Sequence, residues 1–328
     1  MRRRDAMVSV SDIARLAGVS KSTVSRYLNN GQVSPKTRKK IKKIIEETGY
    51  QPNVFAQSLK AQQTNFIGVV IPRFDSRSVN IALKAIDQTA LAAGFQIFIV
   101  NSQLDPQREL ANLKLLQHLK VAGILFFATN VRKEITDWVE QTEIPVLFIG
   151  QEMIGHSYII HNDFQAGKIL ATHLWQQGYR DILYISVSQS DKAVGIDRLN
   201  GFKSYLADKD VKLEILLSDF DQTHIKQVLR PQLNQLKSRV IVCATDSLAQ
   251  AVIQLLKDHG YQVPTDVAVA GFGGYSALNL GQPMITSVAF GYEEIGIRAF
   301  HLIKELIQQP KSVKIELVPN HLTIGKST

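Results

Sequence analysis

The sequence is nearly free of cysteine: Cys243 is the only one in 328 residues. That excludes a disulfide framework and a cysteine-based metal centre. Cys243 lies in the apolar run V-I-V-C-A-T, so it reads as a small buried hydrophobe in a reducing compartment. Long apolar runs are also missing. Nowhere do about 18 consecutive apolar residues occur, so no transmembrane helix is expected. The basic start M-R-R-R-D-A-M-V-S has no apolar stretch behind it to make a secretory signal. The expectation is a soluble cytoplasmic protein with no membrane partner. Catalytic signatures are absent as well: there is no G-x-x-x-x-G-K-[ST], H-E-x-x-H or G-x-S-x-G, and the eight histidines are scattered without metal-ligand spacing. No metal and no cofactor is expected. Gly271-Phe272-Gly273-Gly274-Tyr275-Ser276 has Ser where a dinucleotide fingerprint needs its third Gly or Ala, and it reads as a turn.

What is present is an uneven charge. The net charge is +9, and residues 1–62 hold 13 Lys/Arg against four Asp/Glu, while residues 63–328 hold 25 of each. A small basic module joined to a large neutral one indicates a polyanion-binding head. At 45% apolar residues the remainder can build sizeable cores, with two to three domains as the expectation from length.

The head reads S-D-I-A-R-L-A-G-V-S-K-S-T-V-S-R-Y-L-N from Ser11. Ser11 is placed as the cap of a first helix, with Asp12 in its first turn. Ile13, Leu16 and Ala17 share one face, and Gly18 supplies the positive φ that ends the helix. Ser20 caps a second helix, buried through Val24 and Tyr27 or Leu28, whose other side offers Lys21, Ser22, Thr23, Ser25 and Arg26. Ser34-Pro35 opens a basic third helix held by Ile41, Ile44 and Ile45 and ended by Gly49. A short polar helix presented in this way fits the DNA major groove.

The stretch V-S-D-I-A-R-L-A-G-V-S-K-S-T-V-S-R-Y-L-N…V-S-P-K-T-R-K-K-I…G-Y-Q-P-N resembles the DNA-binding head of the LacI/GalR family of repressors, over residues 9–60 with specific motifs and more loosely beyond. The resemblance implies an all-α helix-turn-helix head (residues 1–52), a hinge helix and linker (53–62), and an effector-binding and dimerisation domain (63–328). It implies that Lys21 and Ser22 determine base readout and that Arg26 donates two bonds to a guanine edge. Ser20, Thr23, Ser25, Asn29, Ser34, Thr37 and Tyr50 would grip phosphates, with Ser11 also on the DNA-binding surface. Asn53-Val54-Phe55-Ala56-Gln57-Ser58-Leu59-Lys60 matches the family's hinge helix, which forms when two subunits meet on the operator. Asn53, Ala56, Leu59 and Lys60 are its DNA contacts. Leu59 is read as a wedge that kinks the minor groove, against the alternative of a linker residue packed on the core.

From Phe66 apolar runs alternate with helical patterns: FIGVVIP, FQIFIV, AGILFFA and PVLFIG, then RDILYISV, LEILL, RVIVCAT and VAVAGFG. Continuous Val/Ile/Leu strands indicate parallel sheets buried on both faces by crossover helices, hence two doubly wound subdomains. Helices are expected at 81–93, 106–119, 131–142, 164–177, 195–207, 222–235 and 247–259. The resemblance adds a periplasmic-binding-protein-like core with three crossings between halves, near residues 161–163, 288–291 and 316–322. The N-subdomain would comprise 63–161 and 290–317, the C-subdomain 163–288 and 319–328.

Ligands of such sheets bind outside the carboxyl ends of the strands. Arg73, Asp75, Ser76, Gln151, Arg198, Asp246 and Tyr292 are the effector-binding candidates at or beside those ends. Arg and Asp pair with vicinal hydroxyls, while an aromatic face stacks on a sugar ring. By resemblance Arg198 and Asp246 hold effector hydroxyls and Tyr292 contacts the sugar. Asp246 reads equally as a helix cap. R-F-D-S-R-S-V-N, S-D-K-A-V-G-I-D-R, C-A-T-D-S-L-A and G-Y-E-E-I-G look most like the trehalose/sucrose-type branch, in which an Arg at the place of Arg73 meets a sugar phosphate. An inter-subdomain salt bridge is the equal alternative for Arg73. The chain departs from many family members at Ser76-Arg77-Ser78-Val79 and at Gly273.

The function expected is a sequence-specific repressor of a carbohydrate-utilisation operon. It would be a homodimer on double-stranded operator DNA, released by a sugar or sugar phosphate such as trehalose 6-phosphate or sucrose in a cleft with one Arg and few acids. Tetramerisation is not expected, since no heptad segment follows the core. The alternatives are an α/β sugar-phosphate enzyme fused to a DNA-binding head, and a regulator that uses a co-repressor. A sugar-transport binding protein fits neither the head nor the missing signal.

Overall fold

The computed structural model describes residues 8–28, 31–50, 64–129, 132–274 and 284–328. Asn29, the hinge candidates Asn53, Ala56, Leu59 and Lys60, and Tyr275 lie outside them. The chain divides into two compact units, residues 1–64 and 65–328.

The first unit holds α1 (Val10–Ala17), α2 (Lys21–Leu28) and α3 (Pro35–Thr48). Ser9, not Ser11, caps α1: its hydroxyl accepts from the Asp12 N–H and Asp12 accepts from the Ser9 N–H. A capping box needs its acid three residues after the cap, so Asp12 selects Ser9 and leaves Ser11 exposed inside the helix. Gly18 and Gly49 end α1 and α3 at φ 59° and 61°. The core is Ile13, Ala14, Ala17, Val24 and Ile41. Leu16, expected on the buried face, is 49% exposed, because Ala14 takes its place in the core.

The second unit is built on two six-stranded sheets. The first has the order β11-β5-β4-β3-β1-β2, from β1 (Phe66–Ile71), β2 (Gln96–Asn101), β3 (Gly123–Phe127), β4 (Val146–Ile149), β5 (Ser157–His161) and β11 (Ile315–Val318), all parallel. One face is covered by α4 (Arg77–Ala92) and, from late in the chain, α11 (Tyr292–Gln308). The other is covered by α5 (Pro106–His118) and α6 (Lys133–Gln141). The second sheet has the order β12-β10-β9-β8-β6-β7, from β6 (Asp181–Ser186), β7 (Lys212–Leu217), β8 (Val240–Cys243), β9 (Ala268–Gly273), β10 (Thr286–Phe290) and β12 (Asn320–Thr323). It packs between α7 (Asp163–Gln176) with α8 (Arg198–Leu206) and α9 (Gln222–Leu229) with α10 (Asp246–Asp258). The chain passes between the sheets at residues 161–163, 290–292 and 318–320.

Two expectations change here. The strands are not all buried on both faces: β2 and β7 are sheet edges, and Ile99, Ile215 and Leu217 are 38%, 45% and 64% exposed. Nor is the second sheet wholly parallel, because β12 runs antiparallel to β10. The chain reaches β12 from β11 of the other sheet through Pro319 alone, so β12 enters the second sheet outside its series of crossover units, at the edge beside β10. Helical regularity also breaks twice. The helix expected at 195–207 begins as a π-helical turn, Lys192–Asp197, and that at 222–235 ends as a 3-10 segment, Arg230–Gln235.

Candidate functional site

In the head, a three-residue turn joins α1 to α2 and leaves Lys21, Ser22, Ser25 and Arg26 exposed together on α2. The Ser20 hydroxyl accepts from the Thr23 N–H at 3.1 Å and lies 2.8 Å from the Thr23 hydroxyl. Ser34 serves α3 in the same way through Thr37. These hydroxyls fix the helix starts and so set where the exposed side chains sit. Tyr50 is half-buried against the head core, and burial raises its phenol pKa. Arg38 lies over the Tyr27 ring, 5.4 Å from its centroid, and its Nη2 donates to the Gly31 carbonyl. The result is a basic helix-turn-helix surface of the kind that enters a major groove.

In the second unit, a cleft of about 730 Å³ lies between the two sheets at the strand ends. Arg73, Asp75, Ser76, Gln151, Arg198 and Tyr292 all line it. Asp246 does not. Thr245 caps α10, and the fully buried Asp246 carboxylate accepts from the Ser287 hydroxyl at 2.7 Å and the Gly274 N–H at 2.7 Å. It ties β10 to the end of β9, while its neighbours Thr245 and Ser247 face the cleft. Neither sequence reading of Asp246, cap or effector ligand, describes this placement.

Arg198 is the centre of the second-sheet wall. It is 5% exposed, donates from Nε to Asp163 at 2.7 Å and from Nη1 to the Ala244 carbonyl at 2.8 Å, and lies 4.5 Å from the Phe290 ring centroid. Burial opposes its charge, but Asp163 more than offsets that and raises its pKa further. The pair forms because α7 and α8 cross in backbone contact. A Cβ at Gly167 would strike the Arg198 carbonyl, and one at Gly201 the Phe164 carbonyl.

Arg73 spans the cleft through an aromatic face: its guanidinium lies 4.2 Å from the centroid of Phe220, which follows β7. Its ion pair, a loose 3.7 Å contact, is with Asp75 in its own loop, so the inter-subdomain salt bridge is not what it forms. Ser76 caps α4, accepting from the Val79 N–H at 3.4 Å. Gln151 is buried in the wall.

Sequence reasoning missed Asp163, His161 and Phe220, which become cleft residues only once β5, β7 and α7 are placed. It also undercounted the charge, since five aspartates and three arginines line the cleft. Among them Asp191 has its pKa raised by burial, despite accepting from the Val194 N–H. Fixed carboxylates and guanidiniums with aromatic walls suit a polyhydroxylated ligand, which needs paired donors and acceptors together with an apolar ring face. No group of three or more possible metal ligands occurs among the described residues, and none of their helices is long and apolar enough to cross a membrane.

The model for bacterial regulatory proteins of the lacI family matches residues 9–53, and that for a periplasmic binding protein-like domain matches residues 171–328. The sucrose operon repressor of Staphylococcus xylosus is 37% identical over 303 residues, 92% of this chain and 94% of the relative. The HTH-type transcriptional regulator RegA of Clostridium saccharobutylicum is 28% identical over 98% of both. The crystal structure of the lac repressor dimer bound to operator and the anti-inducer ONPF superposes with a TM-score of 0.87 at 23% identity, covering 98% of this chain and 99% of that one, a likeness of fold. These relatives are regulators and not enzymes, which removes the fused-enzyme reading. With a matching head, a matching core and a relative 37% identical along nearly its whole length, the chain belongs to the lacI family of bacterial regulatory proteins and is a DNA-binding transcriptional regulator.

Proposed function

We propose that the chain represses a carbohydrate-utilisation operon as a homodimer on a pseudo-palindromic operator, and that a disaccharide in the cleft releases it. The observation that carries this is the cleft itself, about 730 Å³ with charged and aromatic walls spanning two subdomains of one unit. That volume lies within the range of about 300–1,000 Å³ usual for small-molecule sites. Sucrose is the first candidate, by likeness to the Staphylococcus xylosus repressor. Five aspartates against three arginines favour an unphosphorylated sugar over a dianionic sugar phosphate such as trehalose 6-phosphate. Lys21, Ser22 and Arg26 read bases; Ser11, Ser20, Thr23, Ser25, Asn29, Ser34, Thr37 and Tyr50 hold the backbone; Asn53, Ala56, Leu59 and Lys60 act in the minor groove.

Effector and operator affinities are linked reciprocally, typically by about 5–150-fold. An operator is first selected from randomised duplexes. Operator affinity is then measured by fluorescence anisotropy with and without sucrose, trehalose, sucrose 6-phosphate and trehalose 6-phosphate. Sucrose or trehalose should weaken operator binding by a factor in that range. Tighter operator binding with sugar identifies a co-repressor, and no change with any of the four rejects the cleft as the control site.

A further inference from the structure

Gly31, in the connection between α2 and α3, is tied to both helices. Its N–H donates to the Arg26 carbonyl at 2.8 Å, folding the chain back on the end of α2. Its carbonyl accepts from Nη2 of Arg38 on α3 at 3.3 Å, and Arg38 is itself stacked over the Tyr27 ring of α2. A Cβ at Gly31 would lie 2.6 Å from Arg26 Cγ and 3.0 Å from the Arg26 carbonyl oxygen. The stem of Arg26 therefore rests directly on the Gly31 backbone, in space that any other residue would fill. Arg26 is exposed, and its guanidinium has no hydrogen-bond or ion-pair partner among the described residues. What directs that guanidinium is the course of its stem.

We propose that Gly31 is a positioning residue for base readout: its missing side chain lets the Arg26 stem lie along the turn and so presets the direction of the guanidinium. A bidentate pair with a guanine edge needs two N–H bonds in one plane, which makes it sensitive to that direction. A stem fixed in advance also spares rotamer entropy that a free Arg would lose on binding. Gly31 does not have a positive φ, so alanine suits its backbone, and the added methyl acts on Arg26. The inference rests on Arg26 reading a base and adds the residue that aims it.

The test titrates the full chain, as wild type, Gly31→Ala, Arg26→Ala and the double variant, by fluorescence anisotropy. The probes are the operator selected from randomised duplexes, its single-base variants and a scrambled duplex. Arg26→Ala should relax discrimination at one base pair of each half-site about tenfold. Gly31→Ala should relax the same base pair by about fivefold and keep scrambled-duplex affinity within about twofold, with the salt slope unchanged because no phosphate contact is lost. In the Arg26→Ala background the added methyl should cost less than about twofold, since it then has no stem to displace. Undiminished discrimination in Gly31→Ala, a loss spread evenly over the site and the scrambled duplex, or a loss that adds in full to that of Arg26→Ala overturns the role of Gly31 and leaves Arg26 as the reader. Equal loss of operator and scrambled affinity in Arg26→Ala overturns the base-reading role of Arg26 itself.

Discussion

His161 and Asp191 carry opposite pH signatures in one cleft. Burial lowers the His161 pKa from 6.5 to about 4, against the pull of Asp163 and Glu294 and with the push of Arg198. The unfolded chain thus takes up this proton first, so the contribution of His161 to stability is complete above about pH 6.5 and is lost as pH falls toward 4. Asp191 is raised by burial, and its contribution has the reverse sign, growing as the folded state takes up its proton. His161→Leu removes the first effect alone. Urea unfolding at stepped pH should show the wild type losing up to about 3 kcal/mol more than His161→Leu between pH 7 and 4; parallel curves would contradict a buried neutral imidazole. The Arg198–Asp163 pair makes a second prediction at this scale. Both side chains are nearly buried, 7% and 10% exposed, so Arg198→Met strands the carboxylate. Chemical denaturation should register a loss of about 3–5 kcal/mol. Arg198 was legible as a strand-end cation; its partner was not, because Asp163 lies 35 residues earlier and only the packing of α7 on α8 joins them.

Among the elements, that α7–α8 crossing does the positioning. Gly167 and Gly201 sit where any Cβ would meet the facing backbone, so the helices touch without side chains between them. Gly201→Ala must part them. The overpacking should cost about 1–3 kcal/mol, and widening the crossing should also loosen the Asp163–Arg198 contact and weaken binding of the proposed disaccharide. Thermal unfolding together with titration checks both, and full sugar affinity in a destabilised Gly201→Ala would separate the crossing from the site. The regular strands of both sheets were readable because central parallel strands are continuous apolar runs. β5, β10, β11 and β12 were not singled out: they are four or five residues long, and S-Y-I-I-H or N-H-L-T lacks a run to mark it. Ser9 was passed over for Ser11 because both are capping residues, and only the reciprocal bond with Asp12 chooses between them.

At the scale of the whole molecule, the charge is segregated. All of the net +9 is carried by residues 1–62, and the remainder is neutral. DNA affinity should therefore fall steeply with salt through counterion release, by a factor on the order of 10³ or more between 50 and 200 mM if six or more phosphates are contacted. Affinity for the proposed disaccharide, which carries no charge, should change by less than about twofold over the same interval. Anisotropy and calorimetry at matched salt concentrations measure the two, and parallel salt slopes would place the basic charge in the wrong process.

The sequence by itself determined the class of molecule. Spacing of helix starts, turn glycines and apolar runs is local information, and it was enough for a helix-turn-helix head and two doubly wound sheets. It also placed Arg73, Gln151, Arg198 and Tyr292 on the cleft wall, because strand ends can be found from strands. The tertiary structure alone decided which polar groups are committed and which remain open. Asp246 turns to Ser287 and Gly274, Arg73 stacks on Phe220, and His161 keeps an unpartnered nitrogen. Each of those outcomes depends on a neighbour far away in the chain, and the availability of a hydrogen-bonding group is a property of its surroundings, not of its residue type.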